Sequence, residues 1–269
     1  MKKLGLLIVA ALTLAAQGVS AQNSDDNNLF NHLSAGVSLG TTGIGIEVAS
    51  PITSFLQLRA GYSFIPKIKI NETADLDSSE DYLRKEDGTG YYESVDIEGK
   101  LNMGDLKLLV DYYPLKKSSF HVTAGAYIGK SKLATAYSTN HFLNQGYWGN
   151  SGPEMGSASQ TYTIVSDPDG SVTADVKVNS FKPYLGIGFG RAVPNNRISV
   201  CFDFGVQFWG KPSLWTKIDD NLGTEYRKVE KSRILSQQDW CSDVIDALDI
   251  AEKIIVYPVL TLRVNGRIF

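Results

Sequence analysis

The stretch "ISVCFDFGVQFW", residues 198–209, alternates without a miss: Ile198, Val200, Phe202, Phe204, Val206 and Phe208 are apolar, and the residues between them are mostly small or polar. A period of two is the mark of a β-strand with one apolar and one polar face. Seven other stretches alternate in the same way: His32–Gly40, Ile44–Ile52, Phe55–Pro66, Gly104–Pro114, Phe120–Lys130, Phe181–Val193 and Tyr257–Phe269. The pattern predicts an all-β chain of eight strands. A soluble barrel or sandwich would turn the phenylalanines inward; a membrane barrel would turn them to lipid and put Asp203 inside.

The connections favour the second arrangement. Those at 41–43, 51–54, 114–119 and 194–197 are short and rich in Thr, Pro, Asn, Ser and Lys. Those at 70–95, 138–172 and 213–255 are long. With the N-terminus in the periplasm, every long connection falls outside and every Pro-containing turn falls inside, as in outer-membrane barrels. A soluble sandwich has no reason to sort its loops this way.

The two faces agree. The polar faces collect Glu47, Arg59, Lys107, Asp111, His121, Tyr127, Asp203, Gln207, Arg263 and Arg267, with many Gly and Ser. Opposite charges mixed with small residues suit a narrow lumen, where buried charges must be paired. The apolar faces carry no charge within the belts, where a charge at mid-bilayer would cost about 2–4 kcal/mol. Pro66, Pro114, Pro183 and Pro258 fall near strand ends, where a missing ladder donor does least harm. Tyr62, Phe64, Tyr112, Tyr113, Phe181, Tyr184, Trp209 and Tyr257 also fall near ends, as interfacial aromatics do. The fold expected is an eight-stranded antiparallel transmembrane β-barrel with long extracellular loops. One short helix precedes the last strand, over Gln238–Ile254, with Trp240, Val244, Leu248 and Ala251 forming its apolar stripe.

Lys2 and Lys3 followed by apolar Leu4–Ala16 and a small-residue Val19-Ser20-Ala21 read as a signal peptide over 1–21. Residues 22–29 then form a linker and 30–269 the barrel, in the outer membrane of the cell. The formal net charge of −3 argues against nucleic acid, which needs a basic face. Export permits a disulfide between Cys201 and Cys241; two free thiols are the simpler reading. No Cys/His spacing indicates a metal site, and no cofactor is implied.

"GTTGIGIEVASPI", "LQLRAGYSFIPKIKI", "DYYPLKKSSFHVTAGAYIG", "FKPYLGIGFGRAVPNNRISVCFDFGVQFWGKP" and "IIVYPVLTLRVNGRIF" together resemble a family of small outer-membrane β-barrel proteins common in Bacteroidota. A more distant likeness, by architecture, is to the membrane domain of OmpA-type proteins. The resemblance implies fold and location; it brings no catalytic residues with it. Such barrels commonly end in an aromatic residue with apolar residues in its phase, a pattern read by the barrel-assembly machinery. Phe269 is present, but Arg267, Asn265 and Arg263 stand in its phase. A bulge near Gly266, or a different mode of reading, would account for this.

Chemistry is sparse. His32, His121 and His141 supply the imidazoles, and a histidine filling the lumen is the plainer role than a catalytic base. The acidic run Asp75, Asp77, Glu80, Asp81, Glu86 and Asp87 lacks calcium-loop spacing, and "DPDG" at 167–170 reads as a turn. The expected role is structural, or binding and adhesion through the loops, with outer-membrane lipid around the barrel. A narrow channel for small solutes and a lipid-modifying enzyme are the alternatives.

Overall fold

The computed structural model describes residues 30–66, 68–75, 94–115, 118–140, 163–164, 167–220, 223–229, 249–250 and 252–269. The leader and linker, the acidic run beyond Asp75, His141, Cys241 and most of the predicted helix lie outside them. The strands are β1 (Ser34–Gly40), β2 (Gly43–Pro51), β3 (Leu56–Phe64), β4 (Lys69–Asp75), β5 (Ser94–Leu101), β6 (Gly104–Tyr112), β7 (Phe120–Gly129), β8 (Lys132–Ser138), β9 (Thr163–Ile164), β10 (Thr173–Lys177), β11 (Phe181–Phe189), β12 (Ile198–Phe208), β13 (Ser213–Asp220), β14 (Gly223–Lys228) and β15 (Val256–Arg267).

Eight of them, in the order β1-β15-β12-β11-β7-β6-β3-β2, close into an antiparallel barrel. They are the eight alternating stretches of the sequence, trimmed at their ends. The apolar phase faces out: Ile46 is 63% exposed, Val200 62% and Leu262 50%. These rows align across strands, with Phe202 opposite Leu262, Leu262 opposite Leu39, and Val37 opposite Ile46. The result is a continuous greasy belt far larger than a soluble surface carries. The polar phase faces in. Glu47, Arg59, Lys107, Asp111, His121, Tyr127, Asp203, Gln207 and Arg263 are all buried.

Five residues depart from the expected sides, among them Tyr257, half-buried against Trp209 at the mouth of the lumen. Arg267 is exposed at the rim, its Nη1 donating to Asn195 O at 3.2 Å, because the strand ends there. Tyr113, Tyr184 and Trp209 are buried inside rather than at the lipid interface. Each sits in the inward phase; the Tyr113 hydroxyl donates to Gln57 Oε1 (3.1 Å) and the Trp209 indole to Gln207 Oε1 (2.9 Å), partners that an outward side chain would lack. No bulge re-phases the last strand: its registers with β1 and β12 run without a shift through Gly266. Cys201 is a buried free thiol.

The long connections hold what the alternation left unassigned. β4, β5, β8, β10, β13 and β14 form a second sheet, with β9 paired to β13. It continues the barrel wall: β4 follows β3, β5 precedes β6, β8 follows β7, β10 precedes β11 and β13 follows β12. Above Phe181 opposite Ile128 the β7–β11 pairing is interrupted by bends at Ser131 and Ser180, bridged by Gly129 N to Ser180 O (2.9 Å) and Val178 N to Ser131 O (2.8 Å), and it resumes at Lys177 opposite Lys132, beyond which the register shifts. The tight β1–β2 hairpin at Thr41 and Thr42 contributes no strand to this wall.

Space inside is minimal. A Cβ at Gly61 would lie 2.8 Å from Lys107 Cε, 2.8 Å from Glu47 Cβ and 2.4 Å from Ile46 O. Gly61→Val should therefore lower the stability of the folded barrel by about 1–3 kcal/mol through overpacking. The urea midpoint of the folded state measures this, and an unchanged midpoint would mean that the lumen has room to spare.

Candidate functional site

Two polar assemblies qualify as candidates, one inside the barrel and one on the wall above it. Inside, Glu47, Asp111 and Asp203 meet Arg59, Arg263 and Lys107, carboxylate for cation. Arg263 Nη2 donates to Asp203 Oδ1 at 3.0 Å, and its Nε reaches Oδ2 of the same carboxylate, a two-pronged bond. Its Nη1 donates to Glu47 Oε1 at 2.8 Å. Lys107 Nζ lies 2.7 Å from Glu47 Oε2, and Arg59 Nη2 lies 2.8 Å from Asp111 Oδ1. Thr123 Oγ1 donates to Asp111 at 2.7 Å. Lys182 and Asp105 form a separate pair at 2.6 Å. Arg263–Asp203 and Arg59–Asp111 join neighbouring strands, whereas other contacts skip a strand with glycine beneath: the His121–Asp203 contact passes over Gly188, where a Cβ would meet both partners within 2.6 Å.

His121 is the histidine that the polar phase places inside. Its Nε2 is 2.8 Å from Asp203 Oδ1 and its Nδ1 is 3.3 Å from Ser119 O. A serine or threonine nucleophile would have to sit at one of those nitrogens, and a carbonyl and a carboxylate occupy them. His32 is half-buried at the short-turn end. Among the described residues no group of three or more His, Cys, Asp or Glu could hold a metal ion. Residues 167–170 form the expected turn, with Gly170 N donating to Asp167 O at 2.8 Å.

The lumen is shut at both ends, which alternation alone does not reveal. At the short-turn end the β11–β12 connection folds back into the barrel. Ala192 and Val193 are buried against Ala49. Their backbone is held there: Ser34 Oγ donates to Ala192 O (2.6 Å), Ala192 N to the Tyr113 hydroxyl (3.2 Å), and Val193 N to Gln57 Oε1 (2.9 Å). At the other end Met103, Val178 and Trp209 form an apolar lid with Ile65, Leu133 and Tyr257. Trp209 stacks on Tyr257 at 4.3 Å. Beneath it lie Leu109, Tyr127, Tyr184 and Val259.

The wall carries the second assembly. Register places Lys69, Lys100, Thr135, Asp175, Trp215 and Lys228 in one row across six strands, all on one face. The next row on that face holds Glu98, Tyr137, Thr173 and Tyr226. Lys69 and Lys100 both lie 3.1 Å from Glu98 Oε1. Asp175 accepts from Lys132 (2.5 Å), Thr135 (2.5 Å) and the Tyr226 hydroxyl. Lys100 Nζ lies 4.2 Å above the Tyr137 ring. Lys177 Nζ lies 3.8 Å above the Trp215 ring and 4.6 Å above Tyr226. An open groove of about 630 Å³ runs between Lys100, Tyr137, Thr173 and the turn of Asp167, Pro168, Asp169 and Ser171. The other face mixes apolar and small residues with charged ones: Ile70, Gly99, Ala136 and Ala174 share a row with Thr216 and Arg227, and Ile97 and Ile218 lie in the next with Glu72 and Glu225.

Hydrogen bonds tune the acids of the wall. The Tyr137 hydroxyl, followed by Lys69 and Lys100, holds the Glu98 carboxyl at about 2, against the burial that would raise it. Burial pushes Asp175 up, but Lys132, Thr135 and Tyr226 outweigh it and its carboxyl ends below the ordinary range.

Two outcomes follow from these assemblies. Arg263→Met strips Asp203 and Glu47 of a buried partner and should cost about 3–5 kcal/mol of barrel stability, measured by urea unfolding. The folded state holds the Glu98 proton less tightly than the unfolded chain. Its contribution is thus complete above pH 4.5 and fades as pH falls toward 2. Amide exchange in β4 and β5, corrected for its intrinsic pH dependence, should accelerate over that interval and stay level above it.

No family model matches the chain, and no curated protein matches it. Among solved structures it is similar to CarO2 of Acinetobacter baumannii, at 18% identity and a TM-score of 0.46 over 89% of this chain and 100% of that one. It is also similar to CarO of the same organism, at 17% identity and a TM-score of 0.43 over 90% and 99%. A major outer membrane protein from Thermus thermophilus matches at 15% identity and a TM-score of 0.32 over 88% and 97%. The chain itself is a closed eight-stranded antiparallel β-barrel by its own strand registers.

Proposed function

We propose that this chain is an outer-membrane protein that works by binding an extracellular partner through the wall and loops at its long-connection end, the barrel serving as its anchor. The observation that carries this reading is the division of polar groups. Inside the barrel the charged side chains pair with one another between two plugs, whereas on the wall polar and charged side chains face outward around an open groove. The apolar belt supports residence among lipid tails, since exposing side chains such as Leu262 and Phe204 to water costs about 1.5–3 kcal/mol each. Membership of the Bacteroidota barrel family is supported by the stretches that resemble it. The partners of His121 speak for binding over histidine-based catalysis. The filled lumen likewise speaks against conduction of solutes.

Purified full-length chain should show heat-modifiable gel mobility in detergent and no stable unitary currents in a planar bilayer. Phe204→Arg, on the belt, should destabilise the inserted barrel by about 2–4 kcal/mol. Monodisperse behaviour in plain buffer would overturn the membrane reading, and steady single-channel currents would overturn the sealed lumen.

A further inference from the structure

We propose that the outward face of the wall, just above the belt, binds the phosphate groups of an outer-leaflet glycolipid, with Lys130, Lys132 and Lys177 as the phosphate ligands. This rests on the membrane reading of the belt and deepens it by naming a partner. Orientation comes from register. Phe181 and Ile128 are opposite each other and both face the lipid side, at 57% and 50% exposure. Beyond bends at Ser131 and Ser180 the pairing resumes with Lys177 opposite Lys132, four residues above each, and the alternation is kept across the gap, with Val178 buried and Asn179 exposed. An even number of steps along a strand returns to the same face. Lys177 and Lys132 therefore stand on the lipid side, about 13 Å above the last belt residues at a rise of about 3.3 Å per residue. Lys130 stands halfway between. Headgroups add about 5–7 Å on each side of the hydrocarbon, so Lys130 stands among them and Lys132 and Lys177 at their outer margin, a level that the taller headgroup of a phosphorylated glycolipid reaches.

The arrangement of charge asks for an anion. Lysines directly opposite in register repel one another, and Lys177 and Lys132 are such a pair. Lys132 is relieved by Asp175 at 2.5 Å. Lys177 makes no ion pair among the described residues; its ammonium is held over the faces of Trp215 and Tyr226. A ring face positions a cation without neutralising it. Lys130 donates to the neutral Asn102 Oδ1 at 3.1 Å. Two cations thus remain uncompensated around a third, in a chain whose formal net charge is −3. Of the carboxylates of this face, Asp175 is taken up by Lys132, Thr135 and Tyr226 and Glu98 by Lys69 and Lys100, while Asp96 and the turn acids Asp167 and Asp169 lie at the far end of the wall. A phosphorylated sugar headgroup fits both parts of the face: phosphate for the ammonium groups, and sugar ring for the aromatic surface of Trp215 and Tyr226.

The test uses the full chain folded in detergent, titrated with lipid A, with phosphatidylcholine and with a soluble acidic polysaccharide such as alginate. Bound lipid is read by native mass spectrometry. Lipid A should bind tightest, and the binding should weaken steeply at 1 M salt. Lys130→Gln and Lys177→Gln should each weaken it about fivefold, the value of one lysine near a charged membrane surface. Arg197→Gln, at the short-turn end, should leave it unchanged. Lipid A bound no more tightly than phosphatidylcholine would overturn the proposal, as would a Lys130→Gln/Lys177→Gln double variant that binds like the parent. Tighter binding of alginate would also overturn it, in favour of a soluble glycan. Heat-modifiable mobility is scored on the same samples: its absence condemns the membrane reading, and its presence without lipid A preference condemns this inference alone.

Discussion

Arg263 reaches across the barrel's seam, and the rest of the structure depends on that reach. It stands on the last strand and donates to Glu47 on the second, over the intervening first strand. It also grips Asp203 with two nitrogens. A buried carboxylate without a cation is costly, since desolvation takes several kcal/mol per ion and returns them only through a well-placed partner. Glu47 and Asp203 are satisfied when β15, β1 and β2 are side by side. The ion network is therefore a closure device as much as a filling. Whether hydrophobic residues of equal volume would close the barrel more stably is a separate matter; with charges present, open or shifted arrangements are penalised.

That closure divides the molecule into regions with different physical work. The belt is an apolar surface without charge. The lumen spends its polar groups internally and is stoppered at one end by Ala192 and Val193 and at the other by Trp209 and its neighbours. Polar side chains not used in this way are concentrated on the wall, where they lie around an open groove and above the belt.

Much of this is legible in the sequence. Strand existence, phase and the inward set are readable because alternation is a local property: each residue's side of the sheet follows from its neighbour's. The glycines among the charges announce a narrow interior for the same reason. Legibility fails where the backbone leaves regular pleating. Tyr113, Tyr184 and Trp209 look like interfacial aromatics by position along a strand, yet their phase, continued past the strand ends, turns them inside. The wall strands are hidden in long connections of mixed composition, since their pairing partners lie in other loops. The β11–β12 turn reads as a surface turn, and nothing local marks Ala192 and Val193 as a plug.

What the sequence by itself determined is the two-sidedness of each strand and the sorting of long and short connections, because period and punctuation need no knowledge of the partner. Tertiary structure alone decided which cation meets which carboxylate, what stoppers the lumen, and which lysines rise above the belt without an acid to pair with. Those outcomes depend on strand stagger and on side chains crossing from one strand over another. Such distances arise only when a chain of this length closes on itself.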